Sequence, residues 1–184
     1  LYDVSGSTAR AIGRQFAAVG VMSSAGRALW LDGGSFTLTH YDSNGYTHVS
    51  IWDTTGRTLR SFSDAMATFA LSQYAPAAGI LYVQTRDASI HGIHLATGQR
   101  DTLLAGVAYE SMDAARDGSF VVYTGGDSAN VYQLKVLNPT NGHRATLASS
   151  AFTPFVSTRG DRVAYIHRAD PNQDIKVTAV TIPN

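Results

Sequence analysis

The chain has 184 residues, fourteen basic against fourteen acidic side chains, 15% charged positions and no cysteine. That balance leaves no broad basic face for phosphates, so nucleic acid is not an expected partner, and the absent thiols exclude disulfides, thiolate metal sites and cysteine nucleophiles together. No apolar run approaches the roughly 18 to 20 residues of a membrane helix, so no membrane span is expected.

Thirteen of the fourteen acids are Asp, with Glu110 alone on the other side. Asp suits turns and caps whereas Glu suits helix interiors, and Thr, Ser, Gly, Val and Tyr are plentiful, so the composition predicts strands and turns with little helix. Leu1 to Gly6 reads as a strand and its turn, and Thr8 to Phe16 as an outer strand of a preceding or closing unit. Residues 14–27 are the least regular stretch. From there four copies of one pattern follow: an apolar strand a, a turn, a strand b with bulky residues on both faces, an Asp-containing turn, a strand c, a Gly turn and an outer strand d.

In the first copy these are Ala28 to Leu31, Ser35 to Tyr41, His48 to Trp52 and Thr58 to Phe62. The second runs through Thr68 to Ser72, Gly79 to Thr85, Ile90 to Leu95 and Gln99 to Leu104. The third comprises Tyr109 to Asp113, Ser119 to Thr124, Val131 to Leu137 and Arg144 to Ala148. The fourth has Phe155 to Ser157, Arg162 to His167 and Ile175 to Val180, with no fourth strand after them. Strands b carry a recurring ring, at His40, Tyr82, Tyr123 and Tyr165, spaced 42, 41 and 42 residues apart. Asp42, Asp87, Asp127 and Asp170 mark the turn after each strand b. Repeats of about 40 to 45 residues with four short strands each are the mark of β-propeller blades. The expected fold is therefore all-β, a propeller of about four four-stranded blades at 28–62, 68–104, 109–148 and 155–184, with 1–16 adding to a preceding or closing blade.

The order of strand, Asp-Gly turn, apolar strand, Asp turn, strand and Gly turn resembles TolB-like and WD40-like propeller repeats over nearly the whole chain. Ala115-Arg116-Asp117-Gly118-Ser119-Phe120-Val121-Val122-Tyr123 is the copy most similar to that family's box, and Trp52-Asp53 resembles the dipeptide of WD40 repeats. The resemblance implies a propeller in an extracytoplasmic setting, periplasmic or secreted. Two closures fit: a larger ring of which this chain supplies about half, completed by a longer chain or by a homo-oligomer, or a four-bladed ring sealed by the N-terminal segment.

Motifs of chemistry are scarce. There is no Gly-x-Ser-x-Gly elbow, Walker loop, dinucleotide fingerprint or His-Glu-x-x-His helix. Asp170-x-Asn172-x-Asp174 has the spacing of calcium-loop ligands, but Ile175 stands where such a loop needs Gly. His91 and His94, three apart on a strand, point to opposite faces and do not converge on one ion. Arg159-Gly160-Asp161 occupies an a–b turn. No catalytic residue, metal or cofactor is expected. The anticipated role is a non-catalytic module that presents loops to a protein or peptide, with Tyr46, Tyr74, Tyr109 and Phe152 as candidate contacts beside those loops. The alternative is the propeller part of a larger enzyme, such as a prolyl-oligopeptidase-like serine peptidase whose ring gates substrate access.

Overall fold

The computed structural model describes residues 2–3, 8–9, 18–19, 29–31, 34–41, 47–63, 72–84, 89–106, 109–126, 132–169 and 172–184. Among them every regular element is a strand and every pairing is antiparallel. The chain divides into two compact units, Leu1–Ala70 and Leu71–Asn184.

In the first unit β1 (Tyr2–Asp3) pairs antiparallel with β2 (Thr8–Ala9). The rest of Thr8 to Phe16, expected as an outer strand, lies outside the described residues. The first blade follows. Its inner strand is in two pieces, β3 (Ala18–Val19) and β4 (Leu29–Trp30), which pair with opposite ends of β5 (Ser35–Tyr41). Residues 20–28 between the two pieces lie outside the described residues. β6 (Thr47–Asp53) and β7 (Thr58–Ser63) complete this blade. Asp53 closes the β6–β7 turn: its Oδ1 accepts from the Thr55 and Arg57 N–H groups, each at 2.9 Å, and from the Thr55 hydroxyl at 2.6 Å. Those bonds hold its carboxyl below the usual range.

The second unit holds three blades in series. Blade 2 is β8 (Ser72–Ala75), β9 (Ile80–Gln84), β10 (Ile90–His94) and β11 (Arg100–Leu104). Blade 3 is β12 (Tyr109–Ala114), β13 (Val121–Gly126), β14 (Tyr132–Leu137) and β15 (Arg144–Ser149). Blade 4 is β16 (Ala151–Val156), β17 (Arg162–Ala169) and β18 (Asn172–Ala179). The c–d turns of blades 2 and 3 share one geometry. His94 N–H bonds to Gln99 C=O and Gly98 N–H to His94 C=O, and the same pair of bonds joins Asn138 to His143 and Gly142 to Asn138.

Two strands a differ from expectation. β8 runs to Ala75 rather than ending at Ser72, and Pro76, which has no N–H for the ladder, opens the turn by accepting from Gly79 N–H. β16 begins at Ala151 rather than Phe155, because a bulge with Thr153 at φ 48° carries Pro154 within the strand. Asn172 and Asp174 stand in β18, not in a turn, paired with Ala169 and His167. The Asp turns at 42, 87, 127 and 170 lie outside the described residues.

Within this unit blades 2 and 3, and blades 3 and 4, bury their facing surfaces against each other. One apolar cluster joins Ala75, Tyr82, Ile90 and Leu104 of blade 2 to Met112, Ala114, Val121, Tyr123 and Leu137 of blade 3. A second joins Phe120, Val122, Leu134 and Val136 of blade 3 to Ala151, Val163 and Tyr165 of blade 4. The recurring tyrosines are therefore not equivalent. Tyr82 points forward to blade 3, whereas Tyr123 and Tyr165 point back to the blade before them. The a–b turns close at Ala75 with Ile80, Ala115 with Phe120, and Ser157 with Arg162, so strand b restarts after 40 and then 42 residues while the tyrosines recur after 41 and 42. A slip of one residue turns a side chain to the other face of a strand, and the counterpart of Tyr82 is Val122.

Candidate functional site

Cross-strand pairing sorts the forward faces into matching positions. Ile90 pairs with Gln84, Leu134 with Thr124 and Ile175 with Ile166, each at the same step along strand b. Gly92, Val136 and Val177 share the next step, opposite Tyr82, Val122 and Ala164. Ile90 and Leu134 are 0% exposed, yet Ile175 is 81% and Val177 59% exposed. Phe155, opposite Ala164, is 50% exposed.

The positions equivalent to Phe155 are Gln73 and Asp113, opposite Tyr82 and Val122. Both reach forward to the next inner strand. Gln73 Nε2 donates to Met112 C=O at 3.3 Å, and Asp113 Oδ2 accepts from Val156 N–H at 2.7 Å. Among the described residues of this unit, blade 4 thus leaves exposed the face that blades 2 and 3 bury. Phe155, Ala164, Ile166, Ile175 and Val177 form its apolar centre. The sequence carries the signal in the likeness of Leu134-x-Val136 to Ile175-x-Val177, which the reading by loops passes over.

A second feature lies between blades 2 and 3. A cleft of about 240 Å³ is lined by Ile80, Tyr82, Gly92, His94, Asp101, Leu103, Gly118, Pro139 and Thr140. In it His94 Nε2 meets Asp101 Oδ2 at 3.0 Å, and Gln99 Nε2 donates to Asp101 Oδ1 at 3.0 Å. The Gln99 bond first, then His94, keep the Asp101 carboxyl below its usual range. His91 turns the other way, its Nδ1 3.1 Å from the Thr102 hydroxyl, so the two imidazoles serve different partners. Ligand clefts usually run to about 300–1,000 Å³. This smaller space is a joint between blades, bridged by Tyr82, whose hydroxyl donates to Gly118 C=O at 3.2 Å. Burial, and then the Asp117 charge, push the Tyr82 phenol up to about 12.

The aromatic contacts expected from sequence fall at several places. Phe152 is half-buried and its ring meets Tyr132 of blade 3 at 4.6 Å between centroids, tying blade 4 to blade 3. Tyr74 is half-buried in β8 opposite Leu81. Tyr109 opens β12 opposite Gly125. Tyr46 lies outside the described residues.

The antiparallel sheets of three to five strands are the blades of a β-propeller. The fold is that of TolB-like propellers. It matches the crystal structure of TolB from Acinetobacter baumannii with a TM-score of 0.67 and 17% identity, over 84% of this chain and 41% of that one. An oligogalacturonate lyase in complex with manganese matches with a TM-score of 0.66 and 14% identity, over 85% of this chain and 48% of that one. Pyrococcus horikoshii acylaminoacyl peptidase matches at 0.59 and 13% identity, over 83% of this chain and 31% of that one. The chain therefore spans less than half the length of each of these three. No family model and no curated protein sequence matches it.

Proposed function

We propose that the chain is a non-catalytic propeller module that binds a protein through the open forward face of blade 4. The observation that carries this reading is the contrast at one repeat position, Leu134 buried and Ile175 81% exposed. Contiguous exposed apolar surface on a soluble protein marks an interaction site. Phe155, with two exposed aliphatic neighbours, supplies the kind of aromatic anchor that dominates binding energy at such sites. Tyr46, Tyr74, Tyr109 and Phe152 are proposed as further contacts at the loops, and the setting as extracytoplasmic.

A photoreactive residue replacing Val177 tests the role, with the same residue at exposed Thr146 of β15 as the control. A covalent adduct to a polypeptide from position 177 and none from 146 supports it; no adduct from 177 overturns it. The second reading, a propeller attached to a hydrolase, is favoured by the match to an acylaminoacyl peptidase, of whose chain this one spans 31%. It predicts peptidase sequence in the same reading frame beside Leu1 or Asn184, and a frame without it refutes that reading.

A further inference from the structure

The joint between blades 2 and 3 is hollow along one row of its facing surfaces, at a position where the repeat has a glycine. Asp53, His94 and Asn138 open the c–d turns of blades 1, 2 and 3 with the same pair of backbone bonds. Two residues before them on strand c stand Ile51, Gly92 and Val136, and Val177 holds the matching place in blade 4. Across strands b, c and d the row reads Val122, Val136 and Ala145 in blade 3, but Tyr82, Gly92 and Asp101 in blade 2. The backbone does not demand this glycine. Gly92 is not among the residues at positive φ, and a Cβ there would lie 3.4 Å from Ile80 and 3.6 Å from Leu103 and Tyr82, ordinary contact distances. What the glycine does is leave room, and that room is part of the cleft of about 240 Å³.

The polar groups around that room select what fits it. Gln99 Nε2 donates to Asp101 Oδ1, and His94 Nε2 meets Asp101 Oδ2. An ionised carboxylate only accepts, so Nε2 carries the proton of this bond, and in the neutral imidazole Nδ1 is left as an acceptor. The same two bonds keep the Asp101 carboxyl below its usual range, hence charged at neutral pH. They take two of the roughly four acceptor positions of a carboxylate. The Tyr82 hydroxyl already gives its hydrogen to Gly118 C=O, and no Lys or Arg lines the cleft. Apart from the Thr140 hydroxyl, which serves either way, the side-chain donors are spent inside the site. One negative charge, free acceptors and the apolar walls of Ile80, Leu103 and Pro139 remain. An ammonium group has three donors and no acceptor, which complements that set, and its bonds to a carboxylate are about twice as strong as neutral ones. The space exceeds the roughly 150 Å³ of a cavity that takes up benzene and falls short of the roughly 300–1,000 Å³ of sites for drug-sized ligands. It suits one ring, or a short chain, with its ammonium arm.

We propose that the cleft at Gly92 binds a small organic ammonium ion, its charge on Asp101 and its apolar part beside Ile80 and Leu103. This site is separate from the open face of blade 4 and does not depend on it. Titration of the isotope-labelled full chain with benzylammonium, followed through backbone amide shifts, tests the proposal, and benzyl alcohol is the matched probe without the charge. Benzylammonium is expected to give saturable shifts at Gly92, Asp101 and Leu103 in the millimolar range or below, and benzyl alcohol to bind at least about tenfold more weakly. Asp101→Asn keeps the size of the side chain and removes its charge, weakening benzylammonium about tenfold or more. Gly92→Val installs the residue that blades 3 and 4 carry at this step and abolishes the shifts; Gly92→Ala, whose methyl stays at contact distance, weakens them should the valine variant not fold. Unchanged amide positions away from the cleft are the folding control for each variant. The absence of saturable shifts at these amides overturns the proposal, as do equal affinities for the two probes or an Asp101→Asn chain that binds benzylammonium as the wild type does.

Discussion

Replacing Gly118 by Ala probes the joint between blades 2 and 3 at its tightest point. Gly118 has φ +78°, and a Cβ there would lie 2.6 Å from the Ala78 Cβ and 3.5 Å from the Tyr82 hydroxyl. An L-residue in the left-handed region costs about 1–2 kcal/mol, and an overpacked contact adds about 1–3 kcal/mol. The expected loss is therefore about 2–5 kcal/mol in urea unfolding, read from the midpoint at constant slope. Gly142 is the matched control, since its φ is +75° and a Cβ there meets nothing within 4 Å; Gly142→Ala bears only the backbone cost of about 1–2 kcal/mol. Removing the opposing methyl in G118A/A78G relieves the contact and returns the loss toward that of G142A. Equal losses for G118A and G142A, or no recovery in the double variant, would refute the close packing of the two a–b turns.

Three further outcomes follow from the same packing. The folded Tyr82 phenol titrates at about 12 against 10.0 for the ordinary group. Stability is then full below pH 10 and falls as pH rises across that window, by about 3 kcal/mol at about 1.4 kcal/mol per pH unit; Tyr82→Phe flattens this limb in alkaline unfolding curves, and an unchanged limb contradicts the burial. Asp113→Ala leaves the Val156 N–H without its acceptor and lowers stability by about 1–3 kcal/mol, with faster hydrogen exchange at Val156 as the local readout. Leu134→Ala costs about 2–5 kcal/mol as a core truncation, while Ile175→Ala, at the matching position in open solvent, shifts the unfolding of dilute chain by less than about 0.5 kcal/mol. Similar losses at both positions would contradict the assignment of buried and open faces.

The c–d turns are the most legible part of this sequence, because a Gly at positive φ leaves few alternatives. Gly56, Gly98 and Gly142 all end strand c at positive φ, and β5 matches its expected span residue for residue. The a strands are less legible: the fourth is expected from Phe155, yet β16 begins at Ala151 and holds Pro154 at a bulge. Face assignment is weaker still. Strands b are bulky on both sides, so an aromatic period of 41 residues does not reveal that Tyr82 and Tyr123 meet in one cluster from opposite blades. The open face of blade 4 was hidden for a related reason, since Ile175 and Val177 look like any core strand until a covering blade is sought. The loop contacts at Tyr46, Tyr74, Tyr109 and Phe152 rest on the general role of loops, while the exposed apolar residues of blade 4 belong to strands.

The central claim is that the forward face of blade 4 is covered by another polypeptide. The chain has no cysteine, so Ile175→Cys provides a single thiol whose labelling rate reports its cover. Slow labelling is expected in the native cellular setting, and fast labelling of the same chain purified and dilute. Equally fast labelling in both would contradict it.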